Sequence, residues 1–277
     1  MVFRVEYKHW TRRSFLGAAG GCALGLGMAG SRAGTPRTVE RDDLVAQFQS
    51  RGAVGTFALY DVSTDRLTLV NAARAMTRYV PASSFKIANS LIALETGVVA
   101  DENEIIPYGG KPQPFKAWEK DMPMREAITA SNVPVYQELA RRIGLERYHF
   151  WLDRLGYGNR QTGTALETFW LDGPLEISAV EQARFAARVG QQNLPLSSRS
   201  QSIVRDILKL ESKDGRTLYG KTGWRFSSNP QLGWWTGWVD QGGKVTAFSL
   251  NIDMPSPQDA AKRVVIGRAM LEQLGVF

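Results

Sequence analysis

The sequence predicts an α+β protein: an antiparallel sheet flanked by helices, with an all-helical lobe inserted into it. Three observations predict this: strand-like runs near the amino end, strand-like runs again near the carboxyl end, and a long stretch of helical periodicity between them, closed by a last helix. The 277 residues are 43% hydrophobic and 22% charged, which is ordinary globular composition with enough length to bury a substantial core.

In chain order, RTVERDDLVAQFQSRG (37–52) alternates charges with apolar residues at helical spacing, and VGTFALYDVSTDRLTLVN (54–71) reads as two strands around a Ser-Thr-Asp turn. Helical patterns follow at 84–96, 123–130, 134–142, 145–155, 178–188 and 199–210, punctuated by Gly, Pro and Asn. RTLYGKTGW and LGWWTGWVDQGGKVTAFSLNID return to strand character with a hairpin turn at Gly242-Gly243, and AKRVVIGRAMLEQLG closes as a helix. Trp234, Trp235 and Trp238 offer either a carbohydrate-binding surface or core filling, and a sheet packed by helices favours the core. The cleft between lobe and sheet is the natural place for a site.

Residues 1–33 read as a twin-arginine-type signal peptide: Thr-Arg-Arg-Ser-Phe-Leu at 11–16, then GAAGGCALGLGMAG, then an Ala-x-Ala-like cleavage site after Ala33. Fourteen residues with six glycines are too short and too poor in helix formers to span a bilayer. Lipidation at Cys22 is disfavoured by Ala19, which stands where a large aliphatic residue belongs. Residues 34–277 are then one exported, periplasmic domain. Removing the signal takes five basic residues and one acidic one, so +7 becomes 29 − 26 = +3, and the basic balance no longer argues for nucleic acid. The single cysteine, Cys22, leaves too, which excludes a disulfide and thiol chemistry from the mature chain. His9 is also removed, and His149, on an apolar helix face, reads as structural. A two-histidine zinc site is excluded by inventory, so no metal is expected.

Three short motifs carry chemistry. Ser83-Ser84-Phe85-Lys86 places a hydroxyl and an amine three residues apart at a helix start, hence on one face. Ser131-Asn132-Val133 is a polar break between helical patterns that can aim a second hydroxyl into the cleft. Lys221-Thr222-Gly223 puts a cation, a hydroxyl and room for close backbone approach on a strand. Each is weak alone, but their order and spacing match the penicillin-recognising serine enzymes. The phrases PASSFKIANSLIALETGVV, ASNVPVYQELARRIG, YGN at 157–159, FWLDGPLEISAVEQ, KTGW and SNPQLGWWTGWV through FSLNID resemble the class D (OXA-type, oxacillinase) beta-lactamases over roughly residues 45–277. Ser84 stands where family members usually carry threonine. The apolar Val133 separates the chain from relatives that carry asparagine there.

The resemblance implies a hydrolase acting on cyclic amides, with Ser83 as nucleophile and beta-lactams as substrates. A solvated lysine, with pKa near 10.4, is neutral in only about one copy in 2,500 at pH 7, so Lys86 needs desolvation to act as a base. The resemblance surrounds it with Phe85, Val133, Trp170 and Leu171. It also implies that Lys86 takes up carbon dioxide or bicarbonate as a carbamate, stabilised by Trp170 and Val133, with no other cofactor. By the same resemblance the Ser83 and Trp224 backbone N–H groups form an oxyanion hole. Ser131 relays a proton under the influence of Lys221, and Thr222, Gly223, Trp224 and Arg263 bind substrate. Tyr157 and Asn159 shape the cleft wall. The expected partners are small-molecule lactams alone, with no nucleic acid, no membrane after signal removal, and a monomer or homodimer. The competing reading is a lactam-sensing receptor domain that acylates without turning over.

Overall fold

The computed structural model describes residues 37–277; the expected signal peptide and its cleavage site lie outside the described residues. The chain opens with β1 (Arg37–Glu40), a 3-10 turn and α1 (Ala46–Gln49), followed by the hairpin β2 (Gly55–Asp61) and β3 (Arg66–Val70). Then come α2 (Ala72–Met76), the two-residue strand β4 (Arg78–Tyr79), the 3-10 turn Ala82–Phe85 and α3 (Lys86–Glu95). The lobe continues with β5 (Ile105–Ile106), β6 (Met122–Pro123), α4 (Met124–Ala130), α5 (Val133–Ile143), α6 (Leu145–Leu155), β7 (Ile177–Ser178), α7 (Ala179–Gly190) and α8 (Ser198–Ile207). It closes with β8 (Lys209–Lys213), β9 (Arg216–Arg225), β10 (Gln231–Gln241), β11 (Lys244–Met254) and α9 (Lys262–Gln273).

Seven strands form one sheet in the order β1-β3-β2-β11-β10-β9-β8. The α+β class and the inserted helical lobe are as expected, but the sheet is mixed. β1 runs parallel to β3, with Arg37 opposite Arg66 and Glu40 opposite Leu69, whereas the other pairings are antiparallel. The expected helix over 37–52 is thus a strand, a 3-10 turn and one helical turn. The charged Arg37–Glu40 stretch is largely exposed and suits a sheet edge, where one face meets water. At the opposite edge the helical pattern to 210 stops at Ile207, and Lys209–Lys213 form a polar strand.

The sheet is covered on both faces. α1 and α9 pack Phe48, Ile266, Met270 and Leu271 onto Phe57, Trp235, Phe248 and Leu250. On the other face α7 sets Val180 and Ala183 against Ala58, Leu69 and Trp234. The largest apolar cluster lies inside the lobe, between α3, α5, α6, α7 and the 169–177 segment. Trp234, Trp235 and Trp238 are at most 1% exposed, so all three fill the core, and Trp234 donates its indole N–H to the Val80 carbonyl at 2.9 Å. That bond ties β10 to the chain just before Ser83.

α9 approaches the sheet closely enough that a Cβ on Gly267 would lie 2.3 Å from the Trp235 ring. Gly267→Ala is therefore expected to destabilise the protein by about 1–3 kcal/mol, the usual range for overpacking. Chemical denaturation checks it, and pairing the change with Trp235→Phe, which frees ring volume, should recover part of the loss.

Candidate active site

The site lies where the start of α3, the α4–α5 break and β9 converge. Ser83 sits in the 3-10 turn ahead of α3 and is 7% exposed, whereas Lys86, the first residue of α3, is fully buried. The three-residue spacing brings Lys86 Nζ to 2.9 Å from Ser83 Oγ, to which it donates. Nζ also lies over the ring of Tyr136 of α5, 4.9 Å from its centroid. Burial, and secondarily the positive charge of Lys221, pushes Lys86 well below the ordinary lysine range. Desolvation disfavours the ammonium and raises the share of the free amine.

A second hydroxyl–amine pair faces the first. Ser131, the residue that ends α4, adopts a left-handed backbone (φ 55), and Lys221 Nζ donates to its Oγ at 3.0 Å and to the Thr222 carbonyl at 2.9 Å. Burial and the charge of Arg263 bring Lys221 down to about 7. Arg263 is anchored by bonds to the Gly223 carbonyl (2.6 Å) and the Ala260 carbonyl (2.7 Å), with its guanidinium over the Trp224 ring. Burial lowers it to about 10, so it stays a cation at neutral pH.

Two cavities open on Ser83. One, of about 240 Å³, is lined by Ser83, Ser131, Thr222, Gly223, Trp224 and Arg263 together with Trp118 and Phe226. The other, of about 300 Å³, is lined by Ser83, Val133, Leu171 and Trp224, again with Trp118 and Phe226. The structure therefore brings nine of the twelve expected site residues to the two amines or the two cavities. Trp170 is fully buried, lines neither cavity, and packs on Phe85 (5.8 Å between centroids) and Phe169 (5.0 Å). Its indole N–H is buried without an acceptor.

Tyr157 and Asn159 likewise line neither cavity. Tyr157 is buried behind Phe85 and Phe185, with ring centroids at 5.4 and 4.9 Å. Asn159 bonds the Pro174 carbonyl and the Glu176 N–H, pinning the 157–160 turn to the 174–176 segment. Tyr157 thus backs Phe85, and Asn159 ties its turn to the segment that follows Trp170. His149 lies away from the site, its Nε2 2.5 Å from Thr162 Oγ1.

Several residues that shape the site are not evident from the motifs. Buried Asn132 caps α5 by accepting from the Val135 N–H, and donates to the Trp118 carbonyl at 3.1 Å. Its place two residues before Pro134 is the available signal, since proline favours the first helical turn. Phe115, Trp118, Trp224 and Phe226 form a chain of ring contacts at 4.8–6.1 Å across the cleft mouth, and loop positions alone do not announce it. Among the described residues no group of three or more His, Cys, Asp or Glu is arranged to hold a metal, and no helix is long and apolar enough to cross a membrane.

A serine paired with a buried lysine, faced by a second serine–lysine pair and an arginine-lined pocket, defines a serine acyl-transfer site of the penicillin-recognising kind. The family model for the penicillin binding protein transpeptidase domain matches residues 26–272. Beta-lactamase OXA-5 of Pseudomonas aeruginosa is 39% identical over 83% of this chain and 88% of its own length. OXA-48 of Klebsiella pneumoniae is 36% identical over 82% and 86%. Two solved class D beta-lactamases share the fold. FUS-1 (OXA-85) from Fusobacterium nucleatum subsp. polymorphum has TM-score 0.83 at 38% identity, covering 86% of this chain and 100% of that one. YbXI from Nostoc has TM-score 0.82 at 39% identity, covering 84% and 99%. The chain belongs to the class D beta-lactamase family.

A Cβ on Gly223 would meet the Pro81 carbonyl at 2.9 Å and the Ser84 N–H at 3.0 Å, so only glycine lets β9 lie against the Ser83 turn. Gly223→Ala is expected to displace that turn and lower the acylation rate constant about 100-fold, the scale of a 1 Å misplacement, while circular dichroism stays unchanged.

Lys221 also couples stability to pH. Between about 7 folded and 10.5 unfolded, the unfolded chain binds more protons, so stability rises with pH. From pH 7 to 9 the gain from this residue is at most about 3 kcal/mol, and Lys86 adds in the same direction. Tyr136, Tyr148 and Tyr157, pushed up by burial, reverse the trend above about pH 10. Denaturation of wild type and Lys221→Met at pH 7, 8 and 9 checks this: the variant should show the flatter dependence.

Proposed function

We propose that this protein is a serine beta-lactamase that opens the lactam ring by acylation of Ser83 and then hydrolyses the ester. The observation that carries the reading is the buried Lys86–Ser83 contact at 2.9 Å facing the Lys221–Ser131 contact at 3.0 Å. Ser83 Oγ forms a bond to the lactam carbonyl carbon as its proton passes to the Lys86 side. The carbon–nitrogen bond then breaks, and the nitrogen receives a proton through Ser131 from Lys221, which the proton held on the Lys86 side replaces, so that the base is free again before water enters. Water next attacks the ester, giving its proton to the Lys86 side and returning Ser83. The backbone N–H groups of Ser83 and Trp224 are the proposed oxyanion donors, a role supported by the close approach that Gly223 permits. Thr222 and Arg263 hold the substrate carboxylate, Arg263 through the guanidinium edge not engaged by the Gly223 carbonyl.

Carbon dioxide bound at Nζ supplies an oxygen base in place of an amine. The residues present fit it: Lys86 is desolvated and Trp170 keeps a buried N–H donor free of any acceptor. Adding it forms one N–C bond and releases one proton from the amine nitrogen to water. Trp170 is the residue that would hold it, and Val133 helps to keep water out. We further propose export by the twin-arginine route, cleavage after Ala33 and action in the periplasm, from the segment at 11–33.

The test is turnover of a chromogenic cephalosporin. Many turnovers per enzyme are expected from wild type and none from Ser83→Ala. After acid treatment and return to neutral pH in carbonate-free buffer, Trp170→Phe should give a burst and then slow hydrolysis that bicarbonate restores. Stoichiometric acylation without turnover in wild type would instead assign the receptor role, and indifference to bicarbonate would remove carbon dioxide from the mechanism.

A further inference from the structure

Lys86 carries one contact that the proposed chemistry does not use. Its Nζ sits 4.9 Å above the centroid of the Tyr136 ring, on the π face where a cation is attracted. The ring is fixed in that place: Tyr136 is fully buried, and its hydroxyl shares a hydrogen bond of 2.8 Å with Ser90 Oγ, also fully buried. Ser90 lies four residues after Lys86 on α3, so the helix that carries the base also carries the anchor of the ring beneath it. α5 supplies the ring, and the Asn132 cap sets where α5 begins.

The surroundings make this contact decisive for the charge state of the base. Among the described residues, the charged group acting on Lys86 is Lys221 of β9, itself facing Arg263 of α9. Tyr148 of α6 and Tyr157 beyond it face Phe85 in the same aromatic cluster, and burial keeps their hydroxyls protonated. The hydrogen bond Nζ makes is to the neutral hydroxyl of Ser83. Everything charged around Lys86 therefore opposes its ammonium, and the contacts that favour it are the Ser83 hydroxyl and the Tyr136 face.

We propose that Tyr136 is a positioning residue for the Lys86 base: its ring face, anchored by Ser90, holds the ammonium form of Nζ and is released when the amine takes up carbon dioxide, so the side chain at 136 sets how readily the base is loaded. One proton must leave the ammonium before the N–C bond forms and a second leaves the nitrogen afterwards. The ring resists both steps, because an electron-rich face attracts the starting cation and repels the anion formed. This role rests on the carbon dioxide reading for its second half only, since retention of the ammonium follows from the contact alone.

The experiment compares wild type, Tyr136→Phe, Tyr136→Leu and the double variant Tyr136→Leu/Ser90→Ala, which leaves no buried hydroxyl unpaired. Carbon-13 NMR with labelled bicarbonate follows the signal of carbon dioxide bound to lysine against pH, and stopped flow follows the acid limb of Ser83 acylation. Losing the ring should move the midpoint of both curves down by about one pH unit, a tenfold change in the proton equilibrium, in both leucine variants. Tyr136→Phe, which keeps the face, should stay near wild type. A merely structural role gives the opposite sign: a loosened pocket admits water, favours the ammonium, and moves both midpoints up. Unmoved or raised midpoints in the leucine variants overturn the proposal. Absence of any labelled signal in wild type removes carbon dioxide from the mechanism, yet the acylation limb still decides whether Tyr136 holds the ammonium.

Discussion

Two lysine side chains are buried on either side of Ser83, and among the described residues neither is paired with a carboxylate. Lys86 comes from the helical lobe and Lys221 from the sheet; the charge of Lys221 disfavours the Lys86 ammonium, and that of Arg263 disfavours the Lys221 ammonium. Burying even one unpaired charge costs several kcal/mol. The fold meets that cost with weak, neutral partners: the Ser83 hydroxyl and the Tyr136 face for Lys86, the Ser131 hydroxyl and the Thr222 carbonyl for Lys221. A carboxylate in either place would have been more stabilising. It would also have fixed the ammonium and removed the amine from proton transfer.

Holding the Lys86–Ser83 and Lys221–Ser131 pairs face to face requires the lobe and the sheet to meet without slack. Gly223 removes the side chain that would keep β9 from the Pro81–Ser84 turn, and the Trp234–Val80 bond fastens the neighbouring strand to the same segment. Strain collects at this seam. Ala82, just before the nucleophile, and Ser131 both take positive φ values of 48 and 55, at a cost of about 1–3 kcal/mol each for residues that are not glycine. The surroundings overdetermine both. Ala82 leads into a helix whose every residue from Lys86 to Leu94 is buried, and Ser131 is clamped between the α4 terminus and the Asn132 cap.

How much of this the sequence discloses follows from the range of the interactions. Ser83 with Lys86 is legible because three residues of helix suffice to join them. Ser131 with Lys221 is legible only through resemblance, because 90 residues separate them and no local pattern predicts their contact. The helices of the lobe announce themselves by periodicity, and Ser178 with Glu181 forms the capping box that starts α7. The two edge strands do not: Arg37–Glu40 and Lys209–Lys213 are polar and short, so neither alternation nor hydrophobicity marks them, and their pairing is settled by the strands beside them. Tyr157 and Asn159 sit in a motif whose position suggests the cleft, while Tyr157 is buried against Phe85 and Phe185 and Asn159 bonds the 174–176 segment.

Trp170 and Tyr136 give the base pocket its physical logic. Trp170 packs on the ring of Phe85 and offers a buried donor with nothing to accept it, a feature suited to negative charge. Tyr136 offers a ring face, which stabilises positive charge. A pocket lined only by aliphatic groups would push Lys86 to the neutral amine and give neither ion a place. A pocket built around one ion would trap the side chain in that form. With the Tyr136 face suited to the cation and the surrounding burial favouring the neutral amine, the pocket is not committed to one protonation state of Lys86.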